Sequence, residues 1–125
     1  MTPLFDQFGN TIAYLHKQML IDTTCEIVLG LIIGNCVFGN KDEPVGKFFN
    51  NTIRDVNGRI AAKTEPDRFF TTKVNEPDLL KSTWRILMHI KSHVLGWIPE
   101  INIWSEKSLR EVLSVQEPPL TIKIA

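Results

Sequence analysis

His89 and His93 stand four residues apart, a spacing that on a helix brings two imidazoles to one side and could seat a metal ion. The pair lacks company. No Cys, Asp or Glu falls between Asp78 and Glu100, and position 90 is Ile, so the zinc-protease motif is absent. Two histidines on a solvated polar face are the simpler reading. The same stretch sets Lys81, Arg85, His89 and His93 at four-residue intervals, and Leu79 to Pro99 contains no acid. A helix of that kind can lie on a membrane surface or pack on a partner. Its wide apolar face is more simply core or an oligomer contact.

Asp6 and Asp55 could be imagined as paired carboxylates for acid–base work. Each precedes a Gly by three residues, at Gly9 and Gly58, which places both in turns. A turn Asp accepts backbone hydrogen bonds that stabilise its charged form, the opposite of what a general acid needs. No Ser lies in a Gly-x-Ser-x-Gly context, no Gly-rich loop precedes a Lys-Ser or Lys-Thr pair, and neither Cys has a His nearby in sequence. Trp84, Trp97 and Trp104 could line a groove, although Trp is more often core. No catalytic residue, metal or cofactor is expected from these residues.

The elements that position these residues change character midway. The first half reads as β. "PLFD" turns at 7–10 into "TIAYLH". "EIVLGLII" turns at Gly34-Asn35 into "NCVFG", and its unbroken apolar run suits a strand buried on both faces. Gly30 within it predicts a bulge or a close backbone approach. "PVGKFF" turns at Asn50-Asn51 into "TIRDV", and Asn57-Gly58, a strong hairpin pair, leads into "RIAAK". The glycines of three turns, Gly9, Gly34 and Gly58, recur about every 24 residues, within the period range of repeat architectures. One hairpin cannot bury enough surface to stand alone, and several around an axis can share a core.

The second half reads as helical over 77–95. Leu79, Leu80, Thr83, Trp84, Ile86, Leu87, Ile90, Val94 and Leu95 share one broad face, with Pro77 in the first turn and Gly96 past the end. A strand reading of "WRILMHIK" competes, since Trp84, Ile86, Met88 and Ile90 alternate. "WIPEINIW" reads as extended. A short helix follows over 105–114, capped at Ser108 with Glu111 three residues on, or at Ser105. Residues 121–125 could add a strand to a sheet edge.

The chain has 125 residues with 14 basic and 14 acidic side chains. That length suits a single domain with one core, and the charge balance argues against a nucleic-acid binder, which needs a basic footprint. Two cysteines, Cys25 and Cys36, do not make a disulfide framework; two buried free thiols are expected, with pairing across a hairpin as the alternative. No run approaches the ~18 apolar residues of a membrane span, and the opening "MTPLFDQFGN" has no signal-peptide pattern. A cytoplasmic protein is expected.

"EPVGKFFNNTIRDVNGRIAAK" and the ending "IWSEKSLREVLS" resemble the four-fold β-flower proteins, a bacterial family of uncharacterised function. The shared features are the Val-Gly-x-Phe strand start, the Thr-Ile-Arg-Asp strand, the Asn-Gly turn, the Ile-Ala return and the Trp-Ser-x-x-Ser-Leu helix start. The resemblance implies hairpins arranged like petals about a pseudo-four-fold axis and carries no catalytic residue. Only three Gly-centred turns are clear, so the fourth petal is sought at "VGKFF–TIRD" around Asn50-Asn51.

The expectation is therefore an α+β, mainly β protein: a β-hairpin repeat over 1–64, then a segment over 65–125 whose helices pack on the first part or on a partner subunit. Its turns rest on Asp6, Gly9, Gly34, Asp55, Asn57 and Gly58. Trp84, Arg85, His89, His93, Trp97 and Trp104 are candidates for binding or interface. The function expected is a non-enzymatic structural or protein-interaction module that self-associates as a homo-oligomer. A small-molecule-binding protein or enzyme, with a pocket between the repeat and the C-terminal helices, is the alternative, and membrane-surface binding through 77–95 a third.

Overall fold

The computed structural model describes residues 1–65, 74 and 76–115. Eight strands follow one another: β1 Thr2–Phe5, β2 Thr11–His16, β3 Met19–Ile21, β4 Val28–Ile33, β5 Cys36–Phe38, β6 Gly46–Phe49, β7 Thr52–Asp55 and β8 Ile60–Thr64. Each pairs antiparallel with the next, and β8 returns to β1, where Leu4 faces Thr64 and Phe5 faces Lys63. The hairpins thus form a closed barrel, which removes every unpaired sheet edge.

Successive antiparallel strands put their connections at alternate ends. At one end lie short turns built from left-handed residues. Asn50 (φ 51°) and Asn51 (φ 58°) occupy one, and Gly34 (φ 64°) opens another. These match the expected turns and the primed geometry that fits twisted strands. A third, Lys17 (φ 48°) and Gln18 (φ 67°), joins β2 to β3 and was not expected, because neither residue favours positive φ.

At the other end lie four longer connections. Asp6, Asp22 and Asp55 each open one, and residues 39–45 form the fourth. This revises the repeat. Gly34 belongs to the opposite end, and the partner of the Gly9 and Gly58 turns is Asp22–Cys25, with Cys25 (φ 61°) standing where the other two have Gly. Asn50-Asn51 likewise belongs with the short turns, so the fourth long connection is 39–45 rather than that hairpin.

Two cores divide the strands' faces. The interior holds Leu4, Ala13, Leu20, Leu29, Ile32, Val37, Ile53 and Ala62, with Leu109, Val112 and Leu113 from the C-terminal helix. The outer cluster holds Met19, Ile21, Val28, Leu31, Cys36 and Phe38 beneath helix α1. β4 supplies both, which is why its sequence is continuously apolar. Gly30 is a close approach: a Cβ there would lie 2.5 Å from the Phe38 carbonyl oxygen and 3.0 Å from Leu113. Both cysteines are free, Cys36 buried and Cys25 half-buried.

α1 runs Glu76–His89, which settles the helix-or-strand question for 84–89 but stops short of the expected 95. The chain is drawn off beyond it by the amides of Lys91 and Ser92, which both donate to the Asp42 carbonyl, at 2.8 and 3.0 Å. Residues 90–105 then pass over the barrel's exterior. Ile60 and Trp104 form a parallel bridge there. α2, Leu109–Val112, is shorter than the expected 105–114, and its cap is Ser108, with a complete capping box to Glu111. The tail strand expected at 121–125 lies outside the described residues.

Candidate functional site

The three turn carboxylates serve the backbone. Asp6 Oδ1 accepts from the amides of Phe8 and Asn10, both at 2.9 Å. Asp22 Oδ1 accepts from Glu26 and Ile27 at 3.0 and 3.1 Å, and its Oδ2 from Thr24 Oγ1 at 2.6 Å. Asp55 Oδ1 accepts from Asn57 and Arg59, both at 3.0 Å. Burial pushes the Asp6 carboxyl up, but the Asn10 and Phe8 amides and the Asn10 side chain outweigh it and hold it below the usual carboxylate value. Asp22 was missed in the sequence because Cys25, not Gly, stands three residues on at the position of positive φ.

The histidines do not converge. His89 and His93 are exposed, the helix has ended between them, and the His93 ring sits 5.6 Å from that of Phe38. Among the described residues no group of three His, Cys, Asp or Glu side chains could hold a metal ion.

Two clefts flank α2 at the end of the barrel carrying the long connections. One lies between 41–45, the Asp55 turn and 105–112 and mixes Lys41, Glu43, Arg59 and Glu111. The other lies between the Asp6 turn and 104–111, with Trp104 in its wall. A third, shallower cleft holds Trp97 beside Lys47, Phe49 and Glu100. Neither His89 nor His93 lines these clefts.

Arg54 was not singled out in the sequence, and it is the barrel's most confined cation. It is 5 % exposed. Its Nη1 donates to the carbonyls of Gly58 (2.8 Å) and Ile101 (2.6 Å), and its Nη2 to Asn102 Oδ1 (3.2 Å). Its charge centre lies 5.7 Å from the Phe49 ring. These partners are carbonyls rather than carboxylates, so Arg54 fastens the crossing segment to β7. The signal was present as an Arg alternating with Ile53 inside a strand, but its partner lay 47 residues away.

α1 carries the surface that differs most from expectation. The broad apolar face was expected to be core or an oligomer contact. Only Leu79 and Ile86 of the helix are buried, against the outer cluster, with Thr83 Oγ1 3.3 Å from Met19 Sδ. Leu80, Trp84, Leu87 and Met88 point away, at 58 %, 66 %, 37 % and 72 % exposure. Spaced four, three and one apart, they form one stripe opposite the buried seam. Trp97 is exposed as well, at 85 %, so of the three tryptophans only Trp104 is half-buried; the Lys63 ammonium lies 5.8 Å from its ring.

Around the stripe stand Lys81, Arg85, His89 and Lys91, all exposed. Among the described residues the ion pairs involve only Glu76, which takes Lys17 at 3.1 Å and His16 at 3.3 Å. These bonds tie the start of α1 to the Lys17-Gln18 turn and hold the Glu76 carboxyl below its ordinary value, the Lys17 hydrogen bond first. Lys81, Arg85 and Lys91 are exposed and make no ion pair among the described residues. No helix among the described residues is long and apolar enough to cross a membrane.

The model of one protein family, described as "4-fold beta flower protein", matches residues 2–113, which takes in the barrel, α1 and α2. No curated protein and no solved structure matches the chain.

Proposed function

The chain belongs to the 4-fold beta flower family, and from that premise we propose that it is a non-enzymatic interaction module whose contact surface is the outward face of α1. The observation that carries this reading is the stripe Leu80, Trp84, Leu87 and Met88, turned away from the barrel and flanked on one side by Lys81 and Arg85. An exposed run of large apolar side chains on a helix already anchored by its other face marks a contact site more often than an accident of packing. The barrel's role is to hold that helix rigid.

The eight strands are then four strand–loop–strand units about a pseudo-four-fold axis. Asp6, Asp22 and Asp55 open three of the four long connections, and each accepts the amide four residues on, which supports the repetition. In the third unit 39–45 has exchanged that turn for a contact with the C-terminal segment, where the Asn40 amide donates to Leu113 O at 2.8 Å.

Self-association, expected from the sequence, fits this face less well. Lys81 and Arg85 lie on the same flank of the stripe. An antiparallel pair of copies brings like flanks together, and these cations then face each other.

The test is a triple variant, Leu80→Ser, Trp84→Ser and Met88→Ser, in the full chain. It should keep its circular dichroism and melt within a few degrees of the parent. In extract of the cell of origin the parent should fractionate bound to larger material and the variant as a free 14.3 kDa chain. A parent that runs free, or a variant that unfolds, overturns the reading.

A further inference from the structure

We infer that the outward face of α1 docks on an anionic phospholipid surface, with the apolar stripe entering the headgroup boundary and the flanking cations meeting lipid phosphates. This rests on the reading of α1 as the contact face and names what that face contacts.

Charge complementarity chooses the occupant. From residue 79 to residue 99 there is no Asp or Glu, while Lys81, Arg85 and Lys91 are exposed cations. The first turn holds two acids: Glu76 is bonded by Lys17 and His16, and the exposed Asp78 sits at the helix start on the flank of Lys81 and Arg85. Beyond Asp78 the face carries only positive charge, and the cations outnumber the acid. A surface dense in phosphate supplies the opposite sign.

Shape points the same way. Leu80, Trp84, Leu87 and Met88 line none of the three clefts, and side chains standing out from a helix make a ridge. A protein partner must bring a groove to fit a ridge, whereas a bilayer yields around it. Trp84 at the middle of the stripe has the amphipathic ring that settles at the membrane–water boundary. A helix with large apolar residues on one side and cations beside them lies in that plane rather than crossing it. Docking costs the fold nothing, because Leu79 and Ile86 hold the helix to the barrel from the opposite side.

The experiment is co-sedimentation of the purified full chain with phosphatidylcholine vesicles, with and without phosphatidylglycerol, at low and high salt. Binding to the anionic vesicles should exceed binding to neutral ones by about tenfold and should fall as salt screens the cations. Trp84 emission should shift to the blue on binding, read in a chain carrying Trp97→Phe and Trp104→Phe. Lys81→Glu with Arg85→Glu should abolish the anionic preference, and Trp84→Ser should abolish pelleting, both with unchanged circular dichroism. Equal partition on the two vesicle types, no partition, or a salt-independent signal overturns the inference. If the chain ignores vesicles but fractionates in extract with a protein complex that the triple serine variant leaves, the contact face stands and the lipid is wrong. If it ignores vesicles and runs free in extract, both fall. A lipid-free dimer closed through Trp84 overturns the lipid and leaves the face.

Discussion

Arg54 Nη1 sits 2.6 Å from the carbonyl oxygen of Ile101, joining the buried middle of β7 to a segment 47 residues further along the chain. The same nitrogen takes the Gly58 carbonyl, and Asn102 takes the other. Backbone bonds from Ile60 N to Ile103 O (2.9 Å) and from Ser105 N to Ile60 O (2.7 Å) continue the attachment. Arg54→Met keeps the stem volume and removes the fork, so it should cost about 3 kcal/mol, the scale of a charged hydrogen bond with its acceptors left bare. Arg54→Lys should recover little, because one ammonium cannot reproduce the planar fork. Denaturant unfolding gives the cost. Hydrogen exchange at Ile101 and Ser105 should quicken ahead of exchange in the β4 interior.

Gly58 and Gly9 share positive φ, 85° and 81°, but not surroundings. A Cβ at Gly58 would stand 2.0 Å from the Pro99 carbonyl oxygen, whereas one at Gly9 meets nothing within 4 Å. Gly9→Ala should cost about 1 kcal/mol, the backbone penalty alone. Gly58→Ala should cost at least about twice that and should loosen 99–103, since backbone must move. Equal costs in urea titrations would mean that the crossing segment does not press on the turn.

The two faces of α1 should answer mutation oppositely. Leu79 is fully buried, and Leu79→Ala should cost about 2–4 kcal/mol through lost burial and the cavity left behind. Trp84→Ser removes a far larger side chain and should change stability by no more than about 0.5 kcal/mol, because its ring is in water. Thermal melts of the two variants decide it, and a reversed order would place the helix the wrong way round.

Acid should loosen the start of α1. The Glu76 carboxyl lies below its ordinary 4.5 because Lys17, then His16, bond its charged form. A carboxylate lowered by folding contributes stability that is complete above its unfolded value and is lost as pH falls through the folded one. Carbon-detected titration should find Glu76 below 4.5 and Lys17→Met should move it upward. Asp6 should behave likewise below its ordinary 3.8, with Asn10→Ala giving a smaller rise, because the backbone amides remain.

The turns show how far residue types reach. Asn50-Asn51, Gly34 and Gly58 announced themselves because few residues tolerate positive φ, and all occupy it. Lys17, Gln18 and Cys25 occupy it too, and nothing in their chemistry says so. With the Lys17-Gln18 turn unseen, β3 merged into a loop, and the units were counted from the wrong glycines. The stripe on α1 was legible as apolar, and Leu79 and Leu80 were equally good candidates for the core; only Leu79 was.

What the sequence determined by itself was local: where strands alternate or run apolar, where the chain must bend, that a short helix starts near Ser105 or Ser108, and that no acid lies between residues 79 and 99. Each follows from bonds and sterics within a few residues. The tertiary structure decided the rest. It closed the barrel by pairing β1 with β8, set Arg54 on Ile101, and chose which side of α1 meets the barrel. Those outcomes depend on which distant surface is available to be buried, and periodicity records only that a surface is apolar, not what will cover it.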